Sequence, residues 1–183
     1  MRPPVLPIKI TPNGAFGAVR LTSAQGACGT HPYPCVHPGT DLAAPEGTPV
    51  YAPISSIVVG IGDGSSSPYT GYGPYVVELL GKDGYYQLLA HLNPGDLSLG
   101  QVFDEGDQVG TVSAARHVHF EIRRKLTPGI GKNNMDNNLD PMLWLSGVYG
   151  NGWQWWKWGI VAALAGLGWY SYKKYGADYF LTS

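Results

Sequence analysis

The chain has no excess of charge of either sign: 12 Lys/Arg stand against 13 Asp/Glu in 183 residues, a formal net charge of −1. Residues 1–150 carry nine basic and twelve acidic side chains (net −3), and residues 151–183 carry three and one (net +2). Neither balance suggests a partner as strongly anionic as nucleic acid. The first ten residues, Met-Arg-Pro-Pro-Val-Leu-Pro-Ile-Lys-Ile, lack the apolar core of a secretory signal peptide, and their prolines oppose a helix. Cysteine is scarce, with Cys28 and Cys35 alone. Long unpunctuated stretches are also missing, because 26 glycines and 15 prolines break up the chain. Such punctuation excludes a helical bundle.

What remains reads as strands. Turn phrases such as Gly62-Asp63-Gly64, Lys82-Asp83-Gly84 and Glu105-Gly106-Asp107 separate short apolar runs. Strands are expected over 50–52, 56–60, 75–80, 85–89, 108–112 and 118–123. The fold class is therefore mainly β, an antiparallel sheet whose concave face is able to hold a ligand.

Four of the five histidines fall in three phrases: His37-Pro-Gly-Thr-Asp41, Leu-Ala-His91-Leu and His117-Val-His119-Phe. Zinc favours neutral imidazole and carboxylate, and catalytic zinc commonly keeps three protein ligands and an open position. His117 and His119 are two apart, so on an extended segment both point to one face while Val118 and Phe120 face the core. Pro38 and Gly39 favour a turn that brings His37 and Asp41 to one ion without a helix. Spacing alone leaves open which of His117 and His119 binds metal.

These phrases, taken in order, resemble the M23 peptidases, the group that includes lysostaphin and LytM. Members carry H-x-x-x-D, a separate histidine often in Tyr-Ala-His-Leu, and H-x-H followed by Phe-Glu. Here these are His37 and Asp41, Leu89-Ala90-His91-Leu92, and His117-Val118-His119-Phe120-Glu121. The run Thr40-Asp41-Leu42-Ala43-Ala44-Pro45-Glu46-Gly47-Thr48-Pro49-Val50 and the segment Leu139-Asp140-Pro141-Met142-Leu143-Trp144-Leu145 are also similar to the family's. The resemblance implies an antiparallel β-sheet groove of the LytM type. It further implies a zinc endopeptidase acting on peptide cross-links of bacterial peptidoglycan, with His37, Asp41 and His119 as zinc ligands and His91 and His117 as the catalytic pair. A departure lies before H-x-H, where members often have a longer Ser/Thr/Gly-rich loop and this chain has Ser113-Ala114-Ala115-Arg116. The bond cut, whether a glycine bridge or a D-Ala to diaminopimelate link, depends on groove loops.

Several residues have two readings. Glu121 shares the face of His119 and either orients a ligand histidine or is a solvated strand-end charge. Arg116 either meets a substrate carboxylate or is a solvated loop arginine. His31, outside every motif, is structural or exposed. Six residues separate Cys28 from Cys35, which permits a small disulfide loop suited to an oxidising compartment. With the catalytic ligand set filled as the resemblance implies, a disulfide is favoured over a thiolate zinc site with His31 or His37, or over free thiols.

The C-terminal end differs in kind. From Trp153 on, the chain holds five of its six tryptophans, and the 13 residues from Trp158 to Tyr170 are uncharged. As a helix that run reaches ~20 Å against a ~30 Å hydrocarbon core. Trp153, Trp155, Trp156 and Trp169, Tyr170, Tyr172 supply flanking aromatic belts, which extend it toward a membrane-spanning helix. Lys173 and Lys174 favour a cytoplasmic C-terminus and an outward catalytic part. The expected organisation is an N-terminal extension (1–13), a zinc peptidase domain (14–148) and a C-terminal hydrophobic anchor with a short tail (149–183). The expected partners are peptidoglycan, a lipid membrane and, for a phage protein carried in a virion, other virion proteins. The expected place is a virion membrane or the face of the periplasm and cell wall. A catalytically silent, membrane-tethered wall-binding or structural virion protein is the alternative.

Overall fold

The computed structural model describes residues 1–26, 33–65, 68–126 and 135–149. Its strands are β1 (Val19–Arg20), β2 (Cys35–Val36), β3 (Thr40–Ala43), β4 (Pro49–Tyr51), β5 (Ser56–Gly62), β6 (Val76–Gly81), β7 (Tyr86–Ala90), β8 (Val102–Phe103), β9 (Gln108–Thr111), β10 (His117–Arg123) and β11 (Asn138–Leu139). One short helix, α1 (Pro141–Leu145), follows. All strand pairings are antiparallel.

Strand β10 is the organising element because its two faces bury different chemistry. Val118, Phe120 and Ile122 are fully buried in the apolar core with Leu42, Val77, Leu79, Leu89 and Leu92. His117, His119, Glu121 and Arg123 alternate with them and so line the other face. β10 pairs with β7 along one edge, while β3 and β11 share the other. Beyond β7 the main sheet continues through β6 and β5 to β8. β1 with β2 and β4 with β9 form two separate ribbons.

The six expected strands are present, with ends shifted by a residue or two. The difference with consequences is at Asp41. The turn expected across 37–41 is confined to its first part, and Asp41 lies on strand β3, directly opposite His119 of β10. Its backbone is therefore tied to the same ladder as the H-x-H strand.

Helix α1 has local causes: Asp140 caps it by accepting from the Met142 and Leu143 amides, and Pro141 occupies its first turn. It buries Trp144 against Phe120, with ring centroids 6.1 Å apart and planes at 70°. The indole Nε1 donates to Asp83 Oδ2 at 2.7 Å. Trp144→Phe keeps one aromatic ring but removes the Nε1 donor to that buried carboxylate together with part of the buried indole, so unfolding free energy is expected to fall by at least about 1–3 kcal/mol in urea titration. An unchanged midpoint would show that this bond contributes nothing to stability.

The N-terminal residues are bound to the domain. Val5 is fully buried in the core, and the Tyr51 and Ala43 amides donate to the Pro4 and Lys9 carbonyls. Cys35 is disulfide-bonded; Cys28 and His31 lie outside the described residues. So does the anchor expected over 149–183, apart from residue 149. Among the described residues no helix is long and apolar enough to cross a membrane.

Candidate metal centre and active site

The register of β3 on β10 sets Asp41 against His119, and a bend at Pro38 and Gly39 returns His37 to the same place. His37 Nε2 lies 3.0 Å from His119 Nδ1. Asp41 Oδ1 lies 2.8 Å from His119 Nδ1 and 3.2 Å from His37 Nε2. All three residues are buried. Gly39 is required by this close approach: a Cβ there would lie 2.5 Å from the Phe120 carbonyl oxygen, 2.7 Å from Glu121 Cγ and 3.0 Å from His119 Cε1. Gly39→Ala is therefore expected to push the His37 turn away from β10, at a cost of about 1–3 kcal/mol. Parallel thermal melts and zinc titrations should both show the loss; wild-type behaviour in both would mean that the turn yields freely.

The hydrogen bonds fix which ring nitrogens face inward. His37 Nδ1 donates to the Ala15 carbonyl at 3.1 Å, leaving the Nε2 lone pair inward. His119 Nε2 donates to Glu121 Oε1 at 2.8 Å, leaving Nδ1 inward. Two imidazole lone pairs and a carboxylate oxygen thus face one another and need a cation among them. A proton on His119 Nδ1 meets the need, and so does a divalent metal. Burial opposes a charged His119, but its hydrogen bonds to Asp41 and Glu121 prevail and push it up to about 9. Burial keeps His37 neutral, below its ordinary value. For Asp41 burial favours the acid, yet His119 and His37 hold it far below the carboxylate range. Nitrogen and oxygen donors in this number, with ring tautomers fixed from behind, fit zinc.

Behind His119 lies a buried polar network. Glu121 is fully buried, which removes its reading as a solvated charge. Its Oε1 accepts from His119 Nε2 and, at 2.7 Å, from the Tyr72 hydroxyl. Its Oε2 accepts from Arg123 Nε at 2.7 Å and Asn138 Nδ2 at 2.9 Å. Burial works against the Glu121 charge, but Arg123 and His119 outweigh it and hold the carboxyl down to about 2. Arg123 also donates to Glu78 Oε1 at 3.1 Å and to the Tyr72 hydroxyl at 3.0 Å. Strand spacing by itself puts Arg123, two residues beyond Glu121, on the same face. Tyr72, Glu78 and Asn138 come from other segments and carry no signal of that kind.

His91 and His117 stand together beside the three donors, with ring centroids 4.5 Å apart. His91 follows the last residue of β7 and has φ 61°, a left-handed backbone uncommon for residues other than glycine. Its amide donates to the Tyr72 carbonyl and its carbonyl accepts from Ser113. Burial and the neighbouring His119 and His117 push its imidazole down to about 3. His117 Nδ1 donates to the Ala115 carbonyl at 2.8 Å, so its Nε2 is the lone pair, 3.9 Å from Asp41 Oδ1. All five residues line a cleft of about 240 Å³, with Arg20, Tyr72, Thr70 and Gly71 on its walls. Arg116 is exposed and does not line it.

The profile of Peptidase family M23 matches residues 35–137, which span all five. The chain belongs to this family. Among solved structures, the catalytic domain of the antimicrobial peptidase lysostaphin from Staphylococcus simulans is 28% identical, covering 66% of this chain and 90% of that one, with a TM-score of 0.50. LytU (23% identity, 75% and 83% covered, TM-score 0.52) and Csd3 from Helicobacter pylori (24%, 77% and 33%, 0.52) share the fold. No curated protein sequence matches. The M23 chain is thus a peptidase of mainly antiparallel β architecture, and zinc is its metal, in keeping with the His-Asp-His donor cluster.

Proposed function

We propose that this M23 peptidase is a zinc metalloendopeptidase that hydrolyses peptide cross-links of bacterial peptidoglycan. In this reading His37, Asp41 and His119 hold the metal and His91 and His117 carry the proton chemistry. One observation carries it: three donor atoms lie within 4.8 Å of one another, with two further imidazoles beside them in a single cleft. Zinc, when bound, supplies Lewis-acid polarisation of the scissile carbonyl and acidifies water. His117 Nε2, a lone pair fixed by the Nδ1 bond to Ala115, takes the proton from the attacking water as the new carbon–oxygen bond forms. The same proton passes to the amine nitrogen as the carbon–nitrogen bond breaks. His91, neutral near pH 7, offers a ring N–H to the developing oxyanion.

Digestion of purified cell walls of defined chemistry tests this reading. New free amine ends should appear by mass spectrometry, vanish with a chelator and return with zinc. Activity that survived both chelation and His117→Ala would sink the zinc mechanism, and wall binding without new amines would favour the silent tether. The identity of the amine end names the bond cut.

Delivery belongs to the same proposal. The aromatic-flanked apolar run after Trp153 supports a membrane anchor, and a phage virion that opens the wall during entry or lysis suits an anchored single catalytic domain. The full chain should float with liposomes, and antibodies should find it in purified particles. Absence from particles together with no lipid binding would overturn this part alone.

A further inference from the structure

The family profile begins at residue 35, and the segment ahead of it is folded around the H-x-x-x-D turn. The Thr11 amide donates to the Asp41 carbonyl at 3.0 Å, and the Asp41 amide donates to the Gly14 carbonyl at 2.8 Å. The His37 amide donates to the Ala18 carbonyl at 2.9 Å, and the His37 carbonyl accepts from the Gly17 amide at 2.9 Å. At the end of this clamp, on β1, Arg20 Nη2 donates to Asp41 Oδ2 at 2.9 Å and to the Asn13 carbonyl at 3.3 Å. The Arg20 and Asp41 side chains are only 8% and 10% exposed. Gly26 approaches the guanidinium closely: a Cβ there would stand 2.8 Å from Arg20 Cζ.

The two Asp41 oxygens therefore have different occupations. Oδ1 faces His119 Nδ1 and His37 Nε2, whereas Oδ2 is engaged by a buried, permanently charged donor. A carboxylate with both oxygens available can chelate a metal and fill two coordination positions. We propose that Arg20 is a positioning residue of the metal centre: by holding Asp41 Oδ2 it presents Oδ1 alone to the metal, keeping a coordination position for substrate and water. This rests on the reading of Asp41 as a ligand. Arginine suits the task better than lysine because its planar guanidinium remains charged when buried and meets Asp41 and Asn13 from one rigid group.

The test uses the full chain as wild type, Arg20→Met, Arg20→Gln, Arg20→Lys and Asp41→Asn. Zinc affinity is measured by competition with a chromophoric chelator, coordination from the visible spectrum of the cobalt(II) protein, and kcat and KM at saturating zinc. Arg20→Met is expected to change zinc affinity by roughly 10–100-fold, upward, because a second Asp41 oxygen becomes available and a neighbouring positive charge is removed. Its cobalt bands should lose intensity as Asp41 chelates through both oxygens, and kcat should fall with KM little changed. Arg20→Lys, which keeps the charge, should return both affinity and spectrum part of the way to wild type. Should Arg20→Met fail to fold, Arg20→Gln keeps a neutral donor and should show the same changes, roughly 10-fold in affinity. Wild-type affinity and spectrum in the folded Met or Gln variant overturn the role of Arg20. Full zinc affinity in Asp41→Asn overturns the ligand assignment beneath it, and with it this role.

Discussion

His119→Ala is expected to lose both zinc and hydrolysis, whereas His117→Ala should lose hydrolysis and keep its zinc. The two residues are separated by one position on β10, yet their surroundings differ. His119 is buried, faces His37 and Asp41 with Nδ1 and is held from behind by Glu121. His117 is partly exposed, with its Nδ1 bonded to the Ala115 carbonyl of its own loop and its ring against His91. Removing His119 deletes one of three donors, and turnover should fall by roughly 10³-fold or more, about 4 kcal/mol of transition-state stabilisation. Removing His117 deletes a proton carrier, with an expected loss of roughly 10²–10⁴ in kcat. Elemental analysis of the purified variants beside their rates separates the two. Retention of stoichiometric zinc by His119→Ala, with its loss from His117→Ala, would reverse the assignment.

Glu121→Ala should produce the largest loss of stability. The side chain has no exposure to water, and its two oxygens accept from four donors: His119, Tyr72, Arg123 and Asn138. Truncation leaves Arg123 with the Glu78 carboxylate as its ion-pair partner among the described contacts and frees the His119 ring. Breaking a buried ion pair from one side costs about 3–5 kcal/mol, and loss of a carboxylate that orients a ligand histidine lowers metal affinity by roughly 10–100-fold. Glu121→Gln should recover part of the stability through its size, but its amide brings an N–H₂ toward groups that are themselves donors. Chemical denaturation with and without zinc measures both effects. A Glu121→Ala protein with wild-type stability and zinc affinity would show the network to be dispensable.

Much of the site was legible in the chain because its residues sit in strand-period phrases. The i, i+2 spacing of His117 and His119, continued by Glu121 and Arg123, needs only an extended backbone to place all four on one face. The apolar alternates Val118, Phe120 and Ile122 fix which face that is. Asp41 is a ligand candidate that the sequence puts on a turn, because Pro38 and Gly39 dominate the local signal; pairing with β10 extends Thr40 to Ala43 instead. Arg20 carried no signal. It lies 21 residues before Asp41 in the chain, in no motif, and arrives through the pairing of β1 with β2.

By itself the sequence determined the strand periods, the set of five metal-site and catalytic candidates and the family they point to, since those depend on residue type and short-range spacing. Only the tertiary structure decided which ring nitrogens face the centre, that Glu121 is buried, and that Arg20 occupies one oxygen of Asp41. The bonds of His37 to Ala15, of Glu121 to Tyr72 and Asn138, and of Arg20 to Asp41 join segments far apart in the chain and are selected by the packing of the whole sheet. Those of His119 to Glu121 and His117 to Ala115 are local in sequence, but they aim nitrogens at one centre only once β10 is set against β3.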